Sequence, residues 1–254
     1  MDIKDKVVWV TGGVSGLGKA IVEVMLREGA KVMATDLQAD KGSQLAKQYG
    51  GNFIFVKASN TVTSELQSAV ETVIKKWGRI DVLVNSAGRG CMSPLITEKG
   101  PGPIDEFKAV IDLNLCAAYD TTRLAAWEMI KNEPNEHGEK GVVIQISSGA
   151  AAKIAVGMSN AYSASKAGIL GFVKEAGVEL GPHGIRIVAI QPGIFTTPLL
   201  DTPKMQPVRD LFVSRQTFPK KEGDPQLIGE FCLHIINNWF FNRTGLVCDA
   251  GYIG

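Results

Sequence analysis

Charge of one sign is what this sequence most lacks. Its 27 Lys and Arg face 26 Asp and Glu, leaving a net charge of +1. That excludes the basic footprint by which a chain holds nucleic acid or an anionic membrane surface. No apolar run approaches the ~20 residues that a spanning helix needs. The four cysteines, Cys91, Cys116, Cys232 and Cys248, are far apart with no CxxC pair, so neither a disulfide framework nor a thiolate metal site is indicated. Reduced thiols in a cytoplasmic compartment are the expectation. The three histidines, His137, His183 and His234, fall in a polar loop, a Gly-Pro turn and a C-terminal helix, which gives no zinc site. The opening MDIKDKVVWV enters a strand after six residues, with no stretch that reads as a secretory or transit signal.

What is present is an ordinary balance: 254 residues, 45% hydrophobic and 21% charged, enough for one α/β domain with a sizeable core. Short β-branched runs at 7–10, 31–35, 53–56, 80–84, 142–146 and 185–190 read as strands. Helical spacing fills 20–27, 65–77, 105–130 and 162–180. The alternation predicts a single Rossmann-type domain over 1–254, doubly wound, with a parallel sheet of about seven strands and helices on both faces. Segments 97–103 and 131–140 read as surface loops or helix extensions, and 195–225, rich in Pro, Thr and Lys, as a substrate-binding lid. Phe218, Phe231, Trp239, Phe240 and Phe241 read as core or subunit-interface residues.

Tyr162-Ser163-Ala164-Ser165-Lys166 is the first place to look for chemistry. Tyr162 and Lys166 are four apart, on one face of a helix. A free Tyr has a pKa of ~10, and lowering it by about three units takes ~4 kcal/mol. An ammonium at about 4 Å supplies ~4 kcal/mol at an effective dielectric of about 20, so Lys166 is strong enough to make Tyr162 an acid/base. Taken alone the pair reads more readily as a plain helix with one exposed Lys, because the spacing is common by chance.

The turn after the first strand changes that balance. Gly12, Gly16 and Gly18 lie between a strand and a helix, where backbone without Cβ atoms can approach a pyrophosphate at a helix N-terminus. Asp36 ends the second strand, 18 residues after Gly18, where a carboxylate binds the adenosine ribose 2′-hydroxyl and repels a 2′-phosphate. Leu37, Gln38 and Ala39 follow without an Arg, and Ser15, not a base, precedes Gly16. NAD is therefore expected over NADP, with Lys19 the one nearby cation against it.

With TGGVSGLG at Thr11 to Gly18, NSAG at Asn85 to Gly88, Asn114, Ser148, Tyr162 with Lys166, and Pro192-Gly193 followed by Thr197, the chain resembles the short-chain dehydrogenase/reductase family over essentially its whole length. Within it the resemblance is closest to the type II 3-hydroxyacyl-CoA dehydrogenases, also called 17β-hydroxysteroid dehydrogenase type 10, through Lys131-Asn132-Glu133-Pro134, Pro192 to Phe195 with Thr197 to Leu200, and Gly223-Asp224-Pro225.

The resemblance implies an NAD-dependent oxidoreductase that interconverts a secondary alcohol and a ketone. Tyr162 is then the acid/base, Lys166 lowers its pKa and holds the nicotinamide ribose, and Ser148 bonds the substrate oxygen. Asn114 holds a water in a relay to Lys166. It also implies cofactor contacts from Ser15 and Leu17 of the glycine turn, from Ala87 and Gly88, and from Pro192, Gly193 and Thr197. Asn85 reads equally as a cofactor contact or as a strand-end structural bond. A small-molecule substrate and a dimer or tetramer of like chains follow from the same resemblance.

Two departures stand out. The acidic residue that ordinarily follows the third strand is missing, leaving Asn60 or Thr61 as a weaker acceptor for the adenine amine. Ser148 lies 14 residues before Tyr162, one more than usual, which an extra residue between Ala150 and Met158 would absorb; Ser147 should face the other side of its strand. Other functions stay open: an NADP-preferring ketone reductase, or a silent NAD-binding structural or sensing protein. Hydroxyacyl-CoA and steroid alcohols are the suggested substrates. Lys204, Arg209, Lys220 and Lys221 would meet CoA phosphates or simply form a solvated basic face.

Overall fold

Five β-branched or aromatic residues in a row make β1 (Val7–Thr11) a strand with no polar side, and every one of them is buried. Such a strand needs apolar cover on both faces. Val8 and Val10 join one core with Ile21, Val24 and Met25 of α1 (Gly16–Arg27) and Ile228 and Ile235 of α8 (Gln226–Asn237). Val7 and Trp9 join the other, with Leu66 and Val73 of α3 (Thr63–Trp77), Ala125 of α5 (Ala117–Met129) and Ile169 and Val173 of α6 (Asn160–Leu180). The structure, a computed structural model, describes residues 1–153, 157, 159–198 and 205–253.

The sheet has seven parallel strands in the order β3 (Phe53–Lys57), β2 (Lys31–Asp36), β1, β4 (Val82–Asn85), β7 (Gly141–Ile146), β8 (Ile185–Pro192) and β9 (Thr244–Cys248). The chain winds outward from β1 to β3, then returns to the other side of β1 at β4. That reversal opens a crevice at the carboxyl ends of β1 and β4. The doubly wound, single-domain architecture is the one expected from the alternating pattern.

Several elements differ from the sequence reading. Helix α2 (Ala39–Tyr49) escapes it because its ADKGSQLAKQY has only Leu45 as a buried large apolar residue. Strand β9 escapes because it alternates half-buried and exposed residues, as an edge strand does. Helix α7 (Gln206–Arg215) and a two-residue hairpin, β5 (Ile96–Thr97) with β6 (Gly100–Pro101), fall in segments read as lid and loop. The long helix expected over 105–130 is α4 (Ile104–Ile111) and α5, joined through a π-helical turn at Asp112–Cys116.

The aromatic residues near the C-terminus divide. Phe231 and Phe241 pack on the first core, but Phe218 and Phe240 are 82% and 83% exposed, which removes core from their reading as core or subunit-interface residues. At the amino ends of the strands, buried Arg186 ion-pairs with buried Glu139. Its guanidinium also donates to the carbonyls of Ile235, Ile236 and Phe241, tying β8 to the end of α8. Leu199, Leu200 and Lys204 of the sequence reading, and part of the 195–225 lid and of the turn from Ala150 to Met158, lie outside the described residues.

Candidate active site

The crevice is a cleft of about 520 Å³, within the range of pockets that hold a small molecule or cofactor. Its floor begins at the β1–α1 turn. Gly12 takes φ +64°, a backbone state that a side chain disfavours, and a Cβ on Gly18 would sit 2.1 Å from the Gly12 carbonyl oxygen. Helix α1 therefore starts hard against the turn, and Ser15, Gly16, Leu17 and Gly18 all line the cleft. No acidic residue occupies the first turn of α1, so its positive end is left for an anion.

Asp36 closes one end of the cleft. It is buried, and its Oδ1 accepts from the Gln38 backbone N–H at 3.0 Å and from Gln38 Nε2 at 3.3 Å. Asn60 lines the same region and is buried with an Oδ1 that has no partner. Thr61 does not line the cleft; its exposed hydroxyl pairs with Ser59 Oγ at 2.9 Å.

The opposite wall is the segment after β4. Thr11 Oγ1 accepts from the backbone N–H groups of Ser86 and Ala87, both at 3.2 Å, and so fixes where Ala87 and Gly88 stand. Asn85 is occupied internally: its Oδ1 accepts from Thr121 at 2.8 Å, and its Nδ2 donates to Ala118 O and Thr122 Oγ1, each at 3.3 Å. Of its two readings, the geometry supplies the structural bond, and Asn85 does not line the cleft.

The far end holds Ser148, Tyr162 and Lys166. Ser148 stands two residues past the end of β7 and caps the short turn that follows, its Oγ accepting from Ala150 N at 3.1 Å. It hydrogen-bonds the Tyr162 side chain. Ser147 faces the other way, with its hydroxyl donating to Lys166 O at 2.8 Å. The 14-residue separation thus still delivers Ser148 to Tyr162. Lys166 is buried, its Nζ donates to Ile146 O at 2.7 Å, and burial pulls its pKa down to about 8.

One expectation is not met in this arrangement. Burial raises the Tyr162 pKa, and the Ser148 hydrogen bond offsets only part of that. Lys166 Nζ lies 5.8 Å from the centre of the Tyr162 ring and spends a hydrogen bond on Ile146 O, and the pull on the phenol comes from Ser148, not from the ammonium.

Asn114 sits on the π-helical turn and is 2% exposed. Its Oδ1 accepts from Arg89 N and its Nδ2 donates to Arg89 O, both at 2.9 Å, with a further bond to Ser165 Oγ at 3.0 Å. The side chain is a bracket between the loop after β4 and helix α6. Gly88 is pressed into the same corner: a Cβ there would lie 3.1 Å from Asn114 Oδ1 and 3.4 Å from Lys166 Nζ.

Pro192 and Gly193 at the end of β8, with Thr197, complete the cleft; a Cβ on Gly16 would lie 3.6 Å from Thr197 Cβ across it. Sequence reasoning missed Gln38 as a contact, and also Lys41, Arg89 and Phe195, which line the cleft too. Arg89, directly after NSAG, had a positional signal; Lys41 lies in the helix whose weak periodicity hid it.

A glycine turn under a helix N-terminus, a strand-end carboxylate and a Ser-Tyr-Lys cluster in one crevice define a nucleotide-binding α/β oxidoreductase. The comparisons narrow the class. Residues 6–206 match the short chain dehydrogenase family, and the chain belongs to it. It is 39% identical over 250 residues to the 3-hydroxyacyl-CoA dehydrogenases type-2 of Rattus norvegicus and Homo sapiens, covering 98% of this chain and 95% of each relative. The crystal structure of 3-hydroxyacyl-CoA dehydrogenase type-2 from Mycobacterium avium superposes with a TM-score of 0.90 at 28% identity, covering 100% of this chain and 98% of that one. The protein is thus an oxidoreductase acting on CH–OH groups, in a family that uses nicotinamide cofactors. Among the described residues, no helix is long and apolar enough to cross a membrane.

Proposed function

We infer that the protein is an NAD-dependent dehydrogenase that interconverts a secondary alcohol and a ketone, with Tyr162 as the acid/base. The observation that carries this reading is a single cleft with Ser148, Tyr162 and Lys166 at one end and Asp36 at the other. The residues fit a dinucleotide: the Gly12–Gly18 turn would hold the pyrophosphate, Asp36 the adenosine ribose, Asn60 through its unpartnered Oδ1 the adenine amine, and Lys166 and Thr197 the nicotinamide end. When bound, the cofactor supplies the hydride acceptor in oxidation and the donor in reduction.

The chain's own residues handle the proton. Tyr162, its pKa raised above the ordinary ~10 of a tyrosine, is protonated at neutral pH and is therefore an acid for a ketone oxygen in the reductive direction. Ser148 shares that oxygen and stabilises charge developing on it. Lys166, with a pKa of about 8, exchanges protons with its surroundings near neutral pH. Asn114 keeps α6 and the Gly88–Arg89 loop in register, so that Lys166 meets the ligand at a fixed place.

The type-2 relatives favour a 3-hydroxyacyl-CoA substrate over other alcohols. Within the basic set suggested for CoA, Arg209 is engaged by Glu222 at 2.6 Å and Lys220 by Ser214 O at 2.7 Å, which leaves Lys221 the readier of these three. A lid over 195–225, a dimer or tetramer of like chains and a cytoplasmic location belong to the same proposal. The test is oxidation of NADH and, in parallel, NADPH with ketones and 3-ketoacyl-CoA thioesters. Turnover should run with NADH and fall by ~10²–10⁴ in Tyr162→Phe. Full turnover in that variant would remove Tyr162 from the reaction.

A further inference from the structure

The Asp36 end of the cleft carries a cation that the proposed chemistry does not use. Lys41 lies in the first turn of α2, lines the cleft, and donates to Gln38 Oε1 at 2.7 Å. Gln38 Nε2 in turn reaches Asp36 Oδ1 and Ser15 Oγ, each at 3.3 Å. Three side chains thus form one hydrogen-bonded chain from an ammonium to a carboxylate, with Ser15 on a branch from Gln38, across the place assigned to the adenosine ribose. The position of Lys41 does nothing for its helix: a cation in the first turn faces the positive end of the macrodipole. Among the described residues the only hydrogen bond of its ammonium is to Gln38, and Asp40 beside it does not line the cleft.

We propose that Lys41 is a specificity-determining residue for the 2′ position of the cofactor, acting against Asp36. The proposal rests on the reading of this cleft as the NAD site. Gln38 takes Asp36 Oδ1 twice and leaves Oδ2 for a ribose hydroxyl, which has a hydrogen to give. A 2′-phosphate has none to spare and meets the carboxylate's charge. Lys41 is a flexible point-charge donor of the kind that binds phosphate. Swinging away from Gln38 costs it one exposed hydrogen bond. Cofactor choice is then a balance of two groups in place, not the lack of a phosphate ligand, and whatever affinity the protein has for NADPH depends on Lys41.

The test is calorimetric binding of 2′,5′-ADP and 5′-AMP to the full chain, to Lys41→Ala, to Asp36→Asn and to the double variant, read as the ratio of the two affinities. NADH and NADPH binding to the unaltered protein is measured alongside. Asp36→Asn is expected to raise the ratio for 2′,5′-ADP by about tenfold or more, the size of a charge-assisted contact. Adding Lys41→Ala should take most of that gain away. A gain that survives in the double variant, or no gain at all, overturns the proposal. If Asp36→Asn does not fold, Lys41→Ala alone decides: the ratio must fall severalfold or the proposal fails. If the unaltered protein prefers NADPH, the NAD reading falls instead, and Lys41 keeps its role only if Lys41→Ala removes that preference.

Discussion

Ser147 and Ser148 are adjacent, chemically identical and opposite in consequence. Ser148 bonds Tyr162 in the cleft, while Ser147 is turned away and bonds Lys166 O. Ser148→Ala is expected to lower kcat by ~10²–10³, the usual loss for one donor at a developing charge. Ser147→Ala should instead cost about 0.5–1.5 kcal/mol of stability, the loss of one buried hydrogen bond to a carbonyl that keeps its place in the α6 ladder. Kinetics and denaturant melts on the two variants separate these outcomes. Lys166 gives a second prediction. Its unfolded-state pKa is ~10.4, against about 8 in the fold. Between those values the unfolded chain holds more protons, so this residue's contribution to stability rises with pH from about 8 to about 10 and is lost as pH falls through 8. The span is worth about 3 kcal/mol. Urea melts at pH 8, 9 and 10 should show that rise in the cofactor-free protein and its loss in Lys166→Met. At this scale the sequence was a good guide to which residues gather in the cleft. It expected a lowered Tyr162 pKa, because residue spacing gives a helix face but not the desolvation that raises it.

The elements were legible where apolar residues repeat and illegible where they do not. The buried runs of β1, β7 and β8 announce themselves; α2 has a solvated face and a single buried leucine, and β9 has one side open. The glycine turn was legible for a different reason, because only close backbone approach requires that composition. Gly18→Ala should test it. A methyl at 2.1 Å from Gly12 O forces α1 away from the turn. The expected result is loss of NADH binding by fluorescence, together with ~1–3 kcal/mol of destabilisation from overpacking. The π-helical turn left no trace in the sequence beyond Asn114 itself, a costly residue inside an otherwise apolar helix. That cost is met by its three bonds to Arg89 and Ser165.

Across the whole molecule, chemistry and anchorage occupy opposite ends of the sheet. The cleft takes the carboxyl ends of the strands; the Glu139–Arg186 pair holds the amino ends, far from any reacting group. Glu139→Gln leaves a buried guanidinium without its counter-charge and should cost about 3–5 kcal/mol. That is a fall of roughly 6–20 °C in Tm for a chain of this size, with KM and kcat of the surviving folded protein unchanged. A matching loss of kcat would show that the two ends are coupled. The turn at Asp112–Cys116 has a consequence on this same scale. Helix α4 must lie against α6, while α5 must lie against α3 and the sheet. A continuous α-helix advances ~100° per residue and would key both halves to one phase. The surplus residue lets a single shaft carry two separately set cams, and the notch between them is where Asn114 reaches the cleft's wall. Length in this part of the chain is therefore a property under constraint: one residue fewer would leave the rod intact but mistimed.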